Sequence, residues 1–259
     1  MIEKYKIKLP KIQTNNLDQD KEYFFLIEPD GTKRKILFHE YAEIFKIKGL
    51  YEQLFYERLQ CNSPAKVSKA LSYSVSQVQE NMSKLRILDL GAGNGIMGAH
   101  LRKKGVSRLV GADIIPEAKE AAERDRPLVY DTYYDVDFAN LTLEQREDLQ
   151  DWSFNCLTTV AALGFGDIPV KAFFEAYNIL QKNAWIAFNI KEVFFNNGDQ
   201  SLNAIRQLIF SDFFDLYYLE RYQHRLSMEG EPLYYFAIAG RKKADISKKF
   251  LSSTGIMDK

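Results

Sequence analysis

Cysteine and histidine are scarce in this chain of 259 residues, which has two of the first, Cys61 and Cys156, and three of the second. Two thiols cannot build a disulfide scaffold or a four-cysteine zinc site, and no metal site is expected. With 14 glycines and 7 prolines, the chain is neither collagen-like nor dominated by linkers. No apolar run reaches the length that crosses a bilayer, and the opening stretch MIEKYKIKLPKIQTNN lacks the apolar core of a signal peptide. A cytoplasmic protein without a membrane partner is the expectation. An excess of charge is missing too, because 35 basic side chains balance 35 acidic ones. That balance disfavours nucleic acid, whose phosphates are normally met by a surplus of Lys and Arg.

What is present is an ordinary globular composition, 46% hydrophobic, with aromatic residues at 14% and several aromatic doublets. Charge is uneven locally, since residues 113 to 151 hold 12 acids against 4 bases. The first 85 residues read as a hairpin around Pro29-Asp30-Gly31 followed by helical stretches, with Gly49 breaking one of them and Ser63-Pro64 opening another. From Arg86 short apolar runs alternate with helical stretches, which implies right-handed crossovers and a mostly parallel sheet. The last two strand-like runs are joined only by a short turn near Gly230, so one of them must return antiparallel. The expected fold is α/β: a doubly wound, mostly parallel seven-stranded sheet with an antiparallel C-terminal hairpin, plus an N-terminal hairpin and helical cap. Its divisions are a cap or lid over 1–85, a ligand-binding domain over 86–241 and a basic flexible tail over 242–259. The N-terminal hairpin also offers an edge for a homodimer.

The segment that carries chemistry follows the strand RILDL. Gly91-Ala92-Gly93-Asn94-Gly95 opens a helix there, at a position where backbone approaches a bound nucleotide closely. The dinucleotide fingerprint needs its third glycine at position 96, which is Ile96, and this argues against a nicotinamide enzyme. Asp89 at the strand end would repel a pyrophosphate and attract a cationic ligand. Asp113 ends the next strand, where a carboxylate can accept both hydrogen bonds of a ribose diol. An adenosine with a positively charged tail satisfies all three features.

In ILDLGAGNG and VGADIIPEA the chain resembles the class I methyltransferases that use S-adenosylmethionine, over roughly Arg86 to Arg241. The resemblance implies that Asp89, Gly91, Ala92, Gly93, Asn94 and Gly95 line the methionine side of the cofactor and that Asp113 holds the ribose. It also implies Ile114 against the adenine, Asp137 and Phe138 near the adenine amino group, and Thr159 at the end of the fourth strand among cofactor and acceptor contacts. S-adenosylmethionine is the implied cofactor, leaving as S-adenosylhomocysteine. The core alternatives for these residues stay open: Asp137 also reads as a turn acid and Ile114 and Phe138 as packing residues.

The acceptor is read as a small molecule methylated on oxygen or nitrogen, because the fourth strand ends in CLTTVAALGFGDIP without the Asn/Asp-Pro-Pro-Tyr/Phe motif of adenine and glutamine methyltransferases. Of the three histidines, His224 in the terminal hairpin is the preferred base, His39 is a second residue able to face the crevice, and His100 reads as a surface or packing residue. Tyr51, Phe55 and Tyr56 share a helical face suited to a lid, and Lys191, Glu192 and Arg225 are polar residues at ligand-bearing ends. Phe194 and Phe195 belong to the aromatic set that could meet a ligand. Two further readings remain: an enzyme using an S-adenosyl ligand for a different reaction, and a non-catalytic cofactor-binding partner or regulatory subunit.

Overall fold

The computed structural model describes residues 4–10, 21–163, 167–193 and 200–254. Strands β1 (Lys6–Lys8), β2 (Tyr23–Ile27) and β3 (Lys33–Leu37) pair antiparallel in that order. Asp30 accepts a hydrogen bond from Thr32 N at 2.8 Å in the turn between β2 and β3, and Gly31 there has φ of 87°. Alternation along these strands buries Phe24, Leu26 and Ile36 on one face. Leu50, Leu54 and Phe55 pack on that face, from the segment after helix α1 (Tyr41–Phe45). Gly49, at φ 77°, separates α1 from a π-helical segment, Glu52–Arg58.

The large sheet contains β4 (Arg86–Leu90), β5 (Arg108–Asp113), β6 (Thr132–Asp135), β7 (Cys156–Thr159), β8 (Trp185–Lys191), β9 (Phe214–Leu226) and β10 (Pro232–Lys242). Its order is β6-β5-β4-β7-β8-β10-β9. The first five strands are parallel, while β10 runs antiparallel to both β8 and β9. Because β5 and β6 lie on one side of β4 and β7 lies on the other, the crevice of this doubly wound fold opens at the carboxyl end of β4. The helices between strands are α3 (Ile96–Lys103), α4 (Pro116–Asp125), α5 (Leu143–Asp151), α6 (Val170–Ile179) and α7 (Gln200–Ile209). No helix among the described residues is long and apolar enough to cross a membrane.

Two divisions expected from the sequence move. Helix α2 (Ser63–Gln77) is no part of a separate lid: Val67, Leu71 and Val75 join Ile87, Leu101, Trp185 and Ala237 in one core. Its apolar stripe needs a partner, and the exposed face of the sheet under β8 and β10 provides one. The stretch from 242 is likewise folded rather than mobile as far as residue 254. Lys242 is buried at 1% exposure and its Nζ donates to the carbonyls of Tyr177 at 2.9 Å and Leu180 at 2.7 Å, which places a cation on the last turn of α6. Helix α8 (Lys248–Ser253) follows, with Phe250 and Leu251 packed on the core beside α6.

Candidate active site

A cavity of about 260 Å³ opens at the carboxyl ends of the parallel strands. Its floor is the glycine turn after β4, where Gly91 and Gly93 have φ of 70° and 51°. A β-carbon on Gly91 would sit 2.7 Å from Cδ1 of Ile168, so this position needs glycine for space as well as for backbone. Asp113, at the end of β5, ties the turn in place: its carboxylate accepts from Gly93 N at 2.9 Å and from Ile115 N at 3.1 Å. Burial raises the pKa of this group despite those amide donors. Ile114 beside it is 56% exposed, an apolar side chain facing the opening. Phe138 is buried at the same end. Asp137 caps the turn at Phe138 by accepting from Ala139 N at 2.8 Å and Asn140 Nδ2 at 2.7 Å, while also lining the cavity.

The structure thus brings Gly91, Gly93, Asp113, Ile114, Asp137 and Phe138 onto one cavity, and the other expected cofactor residues stand behind it. Asp89 does not face the ligand space. Gly98 and Gly111 leave a slot for the Tyr130 ring, where a β-carbon would come within 2.8 Å and 3.1 Å of it respectively. The Tyr130 hydroxyl therefore reaches under the loop and donates to Asp89 at 2.6 Å, and Thr158 Oγ1 donates to the other oxygen at 2.6 Å. Burial lifts the Asp89 pKa to about 6. Asp89 is a support beneath the turn rather than a counter-charge to the ligand. Ala92 and Gly95 shape the turn, and Thr159 is buried below the strand end.

Asn94 faces the cap. Its Nδ2 donates to Glu52 Oε1 at 2.9 Å, Arg126 donates to the Asn94 carbonyl at 2.9 Å, and Arg126 pairs with the same Glu52 oxygen at 2.7 Å. Arg124 holds the Phe45 carbonyl at 2.9 Å. These contacts lay the cap across the glycine turn and bring Tyr41, Phe45 and Tyr51 into the cavity wall.

A second, smaller cavity of about 40 Å³ adjoins the first. His39, Tyr41, Tyr51, Ala161 and Asp167 line both and form the neck between them. Ala161 has φ of 57° and its amide donates to Asn189 Oδ1 at 2.7 Å, which holds this left-handed residue at the end of β7. Asn189 in turn donates to Tyr222 OH at 2.8 Å, and Ser63 Oγ lies 2.5 Å from His224 Nδ1. His224 lines the small cavity with its ring 4.0 Å from that of Tyr235. Burial, helped by the charges of Arg225 and Lys191, keeps its pKa well below the usual imidazole value. Arg225 lines the same cavity and is paired with Glu22 at 2.6 Å, both almost fully buried.

Several expected residues lie elsewhere. Tyr56 packs in the cap core beside Tyr51 without reaching either cavity. Lys191 ends β8 outside both linings, and Glu192 forms a two-pronged pair with Arg221 at 2.6 and 3.0 Å. His100 is on α3, away from both cavities. Phe194 and Phe195 fall outside the described residues. Asp167, Tyr41 and Phe45 were missed. The signal available for Asp167 was its place in the loop after the fourth parallel strand, where this fold carries its ligands.

Chemically, the larger cavity presents Asp113, Asp137 and Asp167 with no Lys or Arg among its described lining residues. It repels phosphate and suits a cation. Residues 88–188 match the model of a family described as a methyltransferase domain. Residues 88–188 thus carry a methyltransferase domain, set in a sheet of the class I form. Its cofactor is S-adenosylmethionine, and a lining with three carboxylates and no Lys or Arg among its described residues suits the positive charge that this molecule carries. The N-methyltransferase NodS of Bradyrhizobium japonicum, solved with S-adenosylhomocysteine, is 13% identical with a TM-score of 0.52, over 80% of this chain and 98% of that one. A candidate RNA methyltransferase from Pyrococcus horikoshii is 11% identical with the same TM-score, over 71% and 88%. At such identities the likeness is one of fold. No curated protein matches the chain.

Proposed function

We propose that this methyltransferase moves a methyl group from S-adenosylmethionine to an oxygen or nitrogen atom of a small molecule in the cytoplasm. The small cavity behind the neck carries the reading. It is walled by rings, among them Phe38, Tyr41, Phe55 and Tyr235, and its charges are paired internally, Arg225 with Glu22 and His39 with Asp167. Such a chamber favours a small acceptor of low net charge and offers little to a polyanion or a protein loop.

When bound, the cofactor supplies an electrophilic methyl on a positively charged sulfur. The protein's share of the work is alignment. Asp113 and the glycine turn set the depth of the adenosine, and Tyr41 and Tyr51 narrow the path to the acceptor. The cap that Glu52 and Arg126 hold on the turn narrows the opening to solvent. His224, the base expected from the sequence, serves here as a neutral wall residue fixed by Ser63.

The test is incubation with S-adenosylmethionine labelled in the methyl group and a cell extract divided into low-mass, RNA and protein fractions. Label should enter the low-mass fraction. Label in RNA or protein instead, or in nothing, refutes the acceptor class. Calorimetry with S-adenosylhomocysteine separately checks that the cofactor site is competent.

A further inference from the structure

We infer that His39, oriented by Asp167, takes the proton from the acceptor atom at the neck between the two cavities, so that the acceptor is a small flat molecule presenting an O–H or N–H group there. This rests on the methyltransferase reading above and adds to it the proton acceptor and the acceptor's reacting group.

Position comes first. With the cofactor in the larger cavity and the acceptor in the smaller one, transfer passes through the neck, and His39 is the histidine in its wall. His39 Nδ1 lies 3.0 Å from Asp167 Oδ1, and Tyr41 OH donates to Asp167 Oδ2 at 3.5 Å. The side chains of His39 and Asp167 are 23% and 21% exposed, so a proton collected there can pass to water. Tyr235 and His224, with ring centroids 4.0 Å apart, line the smaller cavity and offer aromatic surface to a planar guest.

Electrostatics separates the two histidines of the site. Burial lowers the proton affinity of His39, but the hydrogen bond and charge of Asp167 outweigh it and leave the pKa raised. Among the described residues, Tyr41, Arg225 of β9 and Glu22 before β2 also act on it. Arg225 and Glu22 are paired and largely offset one another. His224 is held neutral and its Nδ1 is committed to Ser63. A proton acceptor works best when its affinity for the proton matches the operating pH, which favours His39.

The step balances without a further reagent. A lone pair on the acceptor oxygen or nitrogen forms the bond to the methyl carbon as the carbon–sulfur bond breaks, and its electron pair stays on sulfur as a neutral thioether. The acceptor's proton goes to the His39 imidazole and then to solvent. Asp167 acts as a positioning residue through its contact with His39 Nδ1.

The experiment uses the full-length protein, methyl-labelled S-adenosylmethionine and the low-mass fraction of a cell extract as acceptor probe. For the wild type, transfer should rise with pH through one ionisation above the ordinary imidazole value. His39→Gln should lower transfer by about 100-fold or more and flatten that profile, with the calorimetric affinity for S-adenosylhomocysteine within about fivefold, which also shows that the variant is folded. Asp167→Asn should move the inflection to lower pH and reduce kcat, and Asp167→Glu should recover part of the loss. A His39→Gln rate within about threefold of wild type, or an unchanged profile, overturns the inference. So does an Asp167→Asn variant that loses cofactor affinity more than about 30-fold yet keeps its rate at saturating cofactor, since the pair would then be a cofactor clamp. Should either variant fail to fold, NMR titration of labelled histidines in the wild-type complex with S-adenosylhomocysteine decides. His39 is expected to ionise well above His224, and the reverse order overturns the inference. A wild type that labels nothing in the low-mass fraction refutes the small-molecule acceptor reading itself, whereas failure confined to the variants leaves it standing.

Discussion

The two ends of the site are built in opposite ways. At the glycine-turn end, where the adenosine is proposed to lie, the deciding hydrogen bonds are short in sequence: Asp113 to Ile115 spans 2 residues, Asp137 to Ala139 spans 2, and Asp113 to Gly93 spans 20. In the small cavity and its surroundings His39 meets Asp167 across 128 residues, Ser63 meets His224 across 161, and Glu22 meets Arg225 across 203. The first end is a property of strand ends and turns, which local sequence encodes. The second exists only because the cap, the loop after β7 and the terminal hairpin converge. One practical consequence is that damage to the chamber should register in the stability of the whole molecule, while damage to the adenosine end should register in affinity.

The largest effect sought is on the chamber. Arg225→Met leaves the Glu22 carboxylate buried without its partner, and chemical unfolding should show a loss of about 3–5 kcal/mol. The double variant Glu22→Gln, Arg225→Met should recover most of it. A loss under about 1 kcal/mol in the single variant would mean that the pair does not brace the cap against β9, and the contrast drawn above would fail.

Next is Asp113→Ala, which removes the anchor of Gly93 and a carboxylate from the wall of the larger cavity. Affinity for S-adenosylhomocysteine should fall by about 100-fold, roughly 3 kcal/mol, with thermal stability changed far less. Affinity like that of wild type would remove Asp113 from the cofactor site.

Asp89 gives a pH signature between these extremes. Its pKa is about 6 in the folded protein against a reference of 3.8, so between those values the native state holds the proton more tightly than the unfolded chain does. The carboxyl's contribution to stability is therefore most favourable at low pH and declines as pH rises from about 4 to about 6. Relative to Asp89→Asn, the wild type should lose about 2–3 kcal/mol between pH 4 and pH 7 in denaturant unfolding. A constant difference between the two proteins would show that Asp89 is charged throughout.

The smallest effect joins the two ends. Glu52→Gln weakens the clamp of Asn94 and Arg126 on the cap, at a cost of about 1 kcal/mol in cofactor affinity. Hydrogen exchange should quicken over residues 41–58 and stay unchanged in β4 and β5. Equal quickening in both would show the cap and the sheet to be one cooperative unit.

The strands of the sheet and the glycine turn were legible because short continuous apolar runs and glycine-rich turns leave direct marks on the sequence. RILDL and RLVGAD became β4 and β5 with the boundaries read from the sequence. Asp89 was read as facing the ligand because strand-end position says where a residue is along the strand and nothing of what lies beneath. Its true neighbours come from β7 and from Tyr130, 41 residues away. The 242–259 stretch read as a tail because mixed charge normally means solvent. Lys242 escapes that rule by having the free carbonyls at the end of α6 beside it. His39 and His224 could not be ranked from sequence, since each owes its proton affinity to a distant group.

The sequence by itself determined a doubly wound sheet and the glycine turn with Asp113, because periodicity and turn chemistry act between near neighbours along the chain. Tertiary structure alone decided that Asp89 is a support, that α2 belongs to the core, and that His39 shares a neck with Asp167. Burial and charge pairing depend on which segments meet in space, and meeting is settled only when the hydrophobic faces of cap, sheet and hairpin are packed together.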